Sequence, residues 1–192
     1  ATTLLLTFAT PNSAAAAAEK LQDFHPTAQA GEDPRFVEID VLYDGEDLDE
    51  AAELMGMSRE GLIDWHTSTE WLAAFGGFAP GFTYCTPADP AQNFNIERRA
   101  TPRTAVPAGA VGIAGGFSAV YPRVSPGGWQ LLGTTSTPMW ESDAHPPALV
   151  QPGDRVRYRA VSSLPEVVST TPFGRRTPAR LPRLEVLDAG LL

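Results

Sequence analysis

The residues with the types and spacing to do chemistry are His66, Arg103 and a run of glycines, prolines and aromatics between Gly76 and Trp129. A neutral imidazole can take and return a proton near pH 7, which makes His66 the first catalytic candidate. A histidine at the end of a helix is also a common dipole-compatible cap, and that plainer reading stands beside it. Arg103 lies between Pro102 and Pro107, so a stiff backbone presents its guanidinium, whose fork of donors suits a carboxylate or a phosphate. A structural salt bridge is the alternative, and it fits Arg98 and Arg99 slightly better than Arg103. Pro80, Gly81 and Phe82 belong to a rigid turn that could form one wall of an apolar pocket, with backbone donors exposed at Gly81. The same aromatics could simply plug the end of a barrel. In Ser125-Pro126-Gly127-Gly128-Trp129 the glycines let a ligand approach the backbone, and Tyr121 or Ser125 offers a hydroxyl. A tight hairpin with Trp129 in the core is the competing account.

Other chemistries find less support. Gly109 to Gly116 is glycine-rich but lacks the Gly-Lys-Ser or Gly-Lys-Thr ending of a phosphate-binding loop. Cys85 is the sole cysteine, so no internal disulfide or multi-thiolate metal site is available. A lone thiol with apolar flanks, even with Asp64 and His66 to be imagined beside it, reads as a small core residue. His25 and His145 sit in polar loops and read as solvated, and no spaced cluster argues for a metal. With Lys+Arg of 14 against Asp+Glu of 23, the formal net charge is -9, which repels phosphate backbones and argues against nucleic acid as a partner. No apolar run approaches the ~20 residues that span a bilayer. The N-terminus lacks the pattern of a secretory signal, and the single cysteine is compatible with a cytoplasmic location. The chain begins at Ala1 rather than at an initiator methionine, which reads as a processed or truncated piece.

These residues need elements to position them. Thr2 to Phe8 is rich in strand formers, and Pro11 with Asn12 or Ser13 opens an alanine-rich helix toward Phe24. Val37 to Tyr43 alternates as a strand. Asp47 is placed to cap a helix through Glu50 to Met55, and Ser58 to cap a second one ending near His66 to Ser68. From Phe75 the helical period disappears, and short apolar runs alternate with Gly/Pro turns, the texture of a closed barrel. Arg155 to Val161 alternates as a last strand, and a Pro- and Arg-rich linker follows. The expected fold class is α+β. Its expected divisions are a small α/β domain over 1–72, a β-barrel over 73–162, and a linker with a further strand over 163–192.

Three strings, FGGFAPGFTY (75–84), RRATPRTAVPAGAVGIAGG (98–116) and YPRVSPGGWQLLGTT (121–135), are followed by QPGDRVRYRAV from Gln151. In this order and spacing they resemble the allophanate hydrolase subunit 1 family, also called the Kip inhibitor family, over about Val37 to Val161. The resemblance implies a small α/β domain followed by a cyclophilin-like β-barrel. Relatives carry a further strand and helix before the segment that starts here, and LEVLDAGLL (184–192) resembles the first strand of the partner family, subunit 2. The implied chemistry is a site shared with a subunit 2-type domain or chain and a small-molecule substrate, with a histidine near His66. In bacterial 5-oxoprolinase such a pair acts with a third subunit to open 5-oxoproline, driven by ATP with Mg at the level of the whole complex, and the acid of 5-oxoproline would suit Arg103. Two alternatives come with the family: a carboxyltransferase module of a biotin-dependent, urea carboxylase-like enzyme, and a non-catalytic inhibitor of a histidine kinase. The chain departs from relatives at Phe117-Ser118, where Gln-Thr is usual, at Ala110, where a serine is common, and at Thr134, where many carry arginine. The substrate is therefore less constrained than the family.

Overall fold

The computed structural model describes residues 6–22 and 34–165. Helix α1 (Pro11–Gln22) begins where proline at the first helical position costs no hydrogen bond. Thr10, just ahead of it, exchanges backbone-to-hydroxyl bonds with Ser13 in a capping arrangement. The helix buries none of its residues. The strand expected over Thr2 to Phe8 and the strand expected over 184–192 fall largely or wholly outside the described residues.

Strand β1 (Phe36–Val41) alternates as its sequence demands, with Ile39 and Val41 turned inward. Helices α2 (Leu48–Leu54) and α3 (Arg59–Ser68) follow. Ser58 caps α3 as expected, its hydroxyl accepting the Gly61 N–H at 3.0 Å. The remaining strands are β2 (Trp71–Gly76), β3 (Thr83–Pro87), β4 (Arg103–Val106), β5 (Ala110–Ala114), β6 (Phe117–Val120), β7 (Ser125–Gly127), β8 (Gln130–Thr134) and β9 (Arg155–Ala160). Strand β5 is buried at every residue, which explains why Val111 to Ala114 reads as an unbroken apolar run.

Seven strands form one sheet in the order β1-β9-β2-β3-β6-β5-β8, and β4 pairs with β7 as a separate ribbon. The two ends of the large sheet meet. Leu42, just beyond β1, donates its N–H to the Thr134 carbonyl at 2.9 Å and accepts the Thr134 N–H at 2.8 Å. This approach needs glycine at position 133, because a Cβ there would sit 2.3 Å from the Leu42 carbonyl oxygen. The result is the α+β fold with a nearly closed barrel. The boundary expected after residue 72 falls inside β2, and β1 from the segment before it runs parallel to β9 in the barrel's own sheet.

Helices α2 and α3 cover one side of the barrel, with Leu48, Ala51 and Leu62 packed on Ile113 and Leu132. Inside the barrel lie Ile39, Val41, Trp71, Val111, Val156 and Tyr158. A second apolar group, including Phe82, Tyr121, Trp129 and Leu131, lies toward the β4–β7 ribbon.

Candidate functional site

Helix α3 ends with His66 pointing into the core, where it is 0% exposed. Its Nδ1 lies 2.7 Å from the Tyr43 hydroxyl, and its Nε2 lies 2.9 Å from Ser118 Oγ on β6. Ser118 in turn donates to the Tyr158 hydroxyl at 3.2 Å, and the Tyr158 ring stacks on the imidazole at 4.3 Å. One proton order satisfies the set: Tyr43 donates to Nδ1, Nε2–H donates to Ser118, and Ser118 donates to Tyr158. That order requires a neutral imidazole, and burial lowers the His66 pKa to about 3. The Ser-His spacing is that of a nucleophile and its base, but both partners are sealed from solvent, so the arrangement locks α3 to the barrel wall. Cys85 is buried nearby in the same core, and burial with the Asp154 charge pushes its thiol up to about 12, away from reactive thiolate character.

Arg103 is also committed. Its guanidinium makes two 2.8 Å bonds to the carboxylate of Asp47 and one of 3.0 Å to Glu46. Arg99 bonds the same Asp47 from another side, and the Leu131 N–H adds a third kind of donor at 2.8 Å. Burial pushes the Asp47 carboxyl up, and the bonds from Arg103 and Leu131 with the Arg99 charge more than reverse this, holding it below the ordinary carboxylate value. Asp47 does stand at the N-cap position of α2, as expected from sequence, but its side chain makes no capping bond and is spent on this clamp instead. His66 and Arg103 are both catalytic candidates by sequence, and a shared site would bring them to one cavity. The structure separates them: one is enclosed in the core and the other is paired to Asp47 beside α2.

A cleft of about 100 Å³ opens elsewhere, lined by Phe78, Phe82, Tyr84, Arg98, Tyr121, Pro126, Gly127, Gly128 and Trp129. Two consecutive tight turns shape its first wall. Ala79 donates to the Gly77 carbonyl across Phe78, whose φ of 68° places this bulky residue in a γ-turn. Phe82 then donates to Ala79 across Pro80 and Gly81, with Gly81 at φ 81°, the pattern of a type II turn. The pair of turns pushes the Phe78 ring out to 58% exposure at the mouth, edge-on to Phe82 at 5.2 Å. Phe82 meets Trp129 and Tyr121 edge-to-face at 5.5 and 5.2 Å, so the floor is a rigid aromatic cluster.

The opposite wall is the turn after β7. Gly127 has no room for a side chain, since a Cβ would lie 2.2 Å from the Tyr121 hydroxyl. Arg99 donates its N–H to the Gly128 carbonyl at 2.8 Å, which brings the neighbouring Arg98 to the rim. Arg98 is exposed and makes no ion pair among the described residues. Burial raises the Tyr121 pKa, and the nearby Arg98 charge partly offsets that.

Of the residues expected to bind substrate, Phe82 and Tyr121 therefore line the cleft. Gly81 packs against Met139 and Trp140 behind the wall, and Pro80 is exposed at the corner of its turn. Ser125 is buried and donates to the Arg123 carbonyl. Trp129 is both core and cleft wall. Gly128 lines the cleft as its glycine pair suggests, and Tyr84 is a cleft residue that sequence reasoning does not single out; Arg98, read from sequence as a better salt-bridge candidate than Arg103, is at the rim with no ion pair among the described residues, while Arg103 makes the bridge. Nothing in the spacing of adjacent Arg98 and Arg99 says which one is paired, and only the long-range bond to Gly128 separates them.

The family model described as carboxyltransferase domain, subdomain C and D, matches residues 1–150. The B subunit of 5-oxoprolinase from Escherichia coli O157:H7 is 41% identical over 146 residues, covering 74% of this chain and 66% of that protein. The urea amidolyase of Saccharomyces cerevisiae is 32% identical over 121 residues, covering 60% of this chain but 6% of that protein. The crystal structure of TTHA0988 superposes with a TM-score of 0.61 at 41% identity, covering 67% of this chain and 26% of that one. This chain thus spans just under two thirds of the 5-oxoprolinase relative and far less of the other two. With the barrel, the cleft and these likenesses together, the chain belongs to the carboxyltransferase domain, subdomain C and D, family.

Proposed function

We propose that this chain is the B-type component of an ATP-dependent amidohydrolase that opens 5-oxoproline or a related cyclic amide. It works with a subunit 2-type partner domain or chain, and with a third subunit. One observation carries the reading: all three strings that bear the family resemblance send residues into the same cleft. Phe78, Phe82 and Tyr84 come from the first, Arg98 from the second, and Tyr121 with Pro126 to Trp129 from the third. A small volume with flat aromatic sides and one cationic rim suits a compact ring bearing a charge.

ATP finds no cradle in the glycine-rich stretch. Ala110 to Ala114 is a fully buried strand, and a Cβ at Gly109 would lie 2.2 Å from the Thr135 carbonyl oxygen, so the backbone is taken up by packing. The nucleotide therefore belongs, in this reading, to the partner subunits, and this chain contributes binding and orientation of the amide. Among the described residues no group of His, Cys, Asp and Glu is placed to hold a metal ion, and no helix is long and apolar enough to cross a membrane. A cytoplasmic location is in keeping with the reading.

The urea amidolyase likeness and the family description favour a second reading, a carboxyltransferase module that receives a carboxyl group from carboxybiotin and releases biotin. The assay that separates the two uses the full-length protein with all co-purifying partners. Hydrolysis of ATP that rises with 5-oxoproline and needs no biotin supports the first reading. Stimulation only by a biotinylated carrier supports the second, and no response to 5-oxoproline removes the first.

A further inference from the structure

We propose that Arg98 is the specificity-determining residue of the aromatic cleft, selecting ligands that carry a carboxylate over neutral ligands of the same shape. This rests on the reading of the cleft as the amide site and adds to it the group that recognises charge.

The first support is availability. Arg35, Arg59, Arg99, Arg103, Arg155 and Arg159 are each within ion-pair distance of a carboxylate. Among the described residues Arg98 is not, and it lines the cleft, which neither Arg123 nor Arg157 does. In a chain of net charge -9, a guanidinium left without a carboxylate beside an aromatic pocket is a standing site for an anion.

Position is the second. Arg98 is held at the rim by the bond of its neighbour Arg99 to Gly128, and Arg99 is itself fixed by Asp47. The Asp47 clamp thus does not bind ligand but sets the place from which Arg98 reaches. The third is shape. Trp129 and Phe82 give flat apolar surfaces, and Pro126 and Gly127 line the far side. The cleft, at about 100 Å³, is smaller than the roughly 150 Å³ apolar cavity that admits benzene, so it covers no more than part of a single small ring and leaves its substituent at the rim. A carboxylate there meets the guanidinium, whereas a neutral group leaves the cation with water alone.

The test is titration calorimetry on the full-length protein with 5-oxoproline, its neutral carboxamide, cyclopentanecarboxylate and cyclopentanecarboxamide. Each is titrated into wild type, Arg98→Gln, Arg98→Lys and Arg157→Gln, the last an exposed arginine of β9 outside the cleft. The wild type and Arg157→Gln are expected to prefer the acid by about tenfold or more, Arg98→Gln to bring acid and amide within about twofold, and Arg98→Lys to keep part of the preference. Because Arg98 is exposed and makes no ion pair among the described residues, Arg98→Gln should melt with the wild type, so a lost preference is not a lost fold. Equal binding of acid and amide by the wild type, an unchanged ratio in Arg98→Gln, or no binding of any of the four overturns the proposal. An Arg98-dependent preference for cyclopentanecarboxylate with no binding of 5-oxoproline keeps the role of Arg98 and removes the 5-oxoproline reading. Binding of 5-oxoproline and its amide alike does the reverse.

Discussion

Two groups of polar side chains in this molecule are treated in opposite ways. Around His66 both ring nitrogens are matched: Tyr43 and Ser118 satisfy the imidazole, and Ser118 passes on to Tyr158 within the core. Around the cleft the aromatic surface is just as well packed, yet among the described residues Arg98 has no ion-pair partner at the rim. A residue's chemical type says what it could do, but whether its bonding capacity is already used decides what remains for a ligand. By that measure His66 and Arg103 have their bonding capacity in use, whereas Arg98 carries no ion pair among the described residues.

The contrast can be broken most severely at the Asp47 clamp. Asp47→Ala would strand Arg103 and Arg99 without their buried anion and leave the Leu131 N–H unbonded. We expect a loss of about 3–5 kcal/mol in a denaturant titration. His66→Ala should follow at about 3 kcal/mol, since it opens a cavity and orphans two hydroxyls. Acid sharpens this prediction. The unfolded imidazole takes a proton below its ordinary pKa near 6.5, whereas the folded one resists until about 3. Stability from this group is therefore complete above roughly pH 6.5 and falls as pH drops toward 3, with a slope on the order of 1 kcal/mol per pH unit. A His66→Gln variant should flatten that acid limb; an unchanged limb would mean the imidazole titrates freely and is not enclosed.

Smaller effects are expected at the cleft. Gly127→Ala places a methyl group against the Tyr121 hydroxyl and should cost about 1–3 kcal/mol while narrowing the cleft, read as lower ligand affinity beside a lower melting temperature. Phe78→Gly should move the two readouts apart. It relieves a positive φ on a bulky residue and should stabilise the fold by about 1 kcal/mol, yet it removes an exposed ring from the mouth and should weaken binding. If Phe78→Gly lowers both, its backbone is not under strain.

Local geometry was legible in the sequence. The alternation of β1, the Ser58 cap and the continuous apolar run of β5 all follow from short-range pattern, and the turn at Pro80-Gly81 follows from residue type. Long-range pairing was harder. That β1 lies beside β9, and that Leu42 closes the barrel on Thr134, depends on contacts between distant segments that no local period encodes. The site is subject to the same limit. Asp47 reads as a helix cap until β4 and β8 bring Arg103 and Leu131 to it, and Ser118 reads only as a departure from the family's usual threonine until β6 turns it toward His66. Phe82 was legible because its own turn closes beside the cleft, whereas Tyr121 is fixed by bonds to Gly109 and Ala110.

The most direct measurement is a crystal structure of the full-length protein with 5-oxoproline bound. The ring should lie against Trp129 and Phe82 with its carboxylate on the Arg98 guanidinium, while the Arg103–Asp47 pair and the His66 network stay closed. A ligand whose carboxylate sits on Arg103 with the Asp47 pair broken, or whose ring reaches an opened His66, would contradict the division of these residues into scaffold and site.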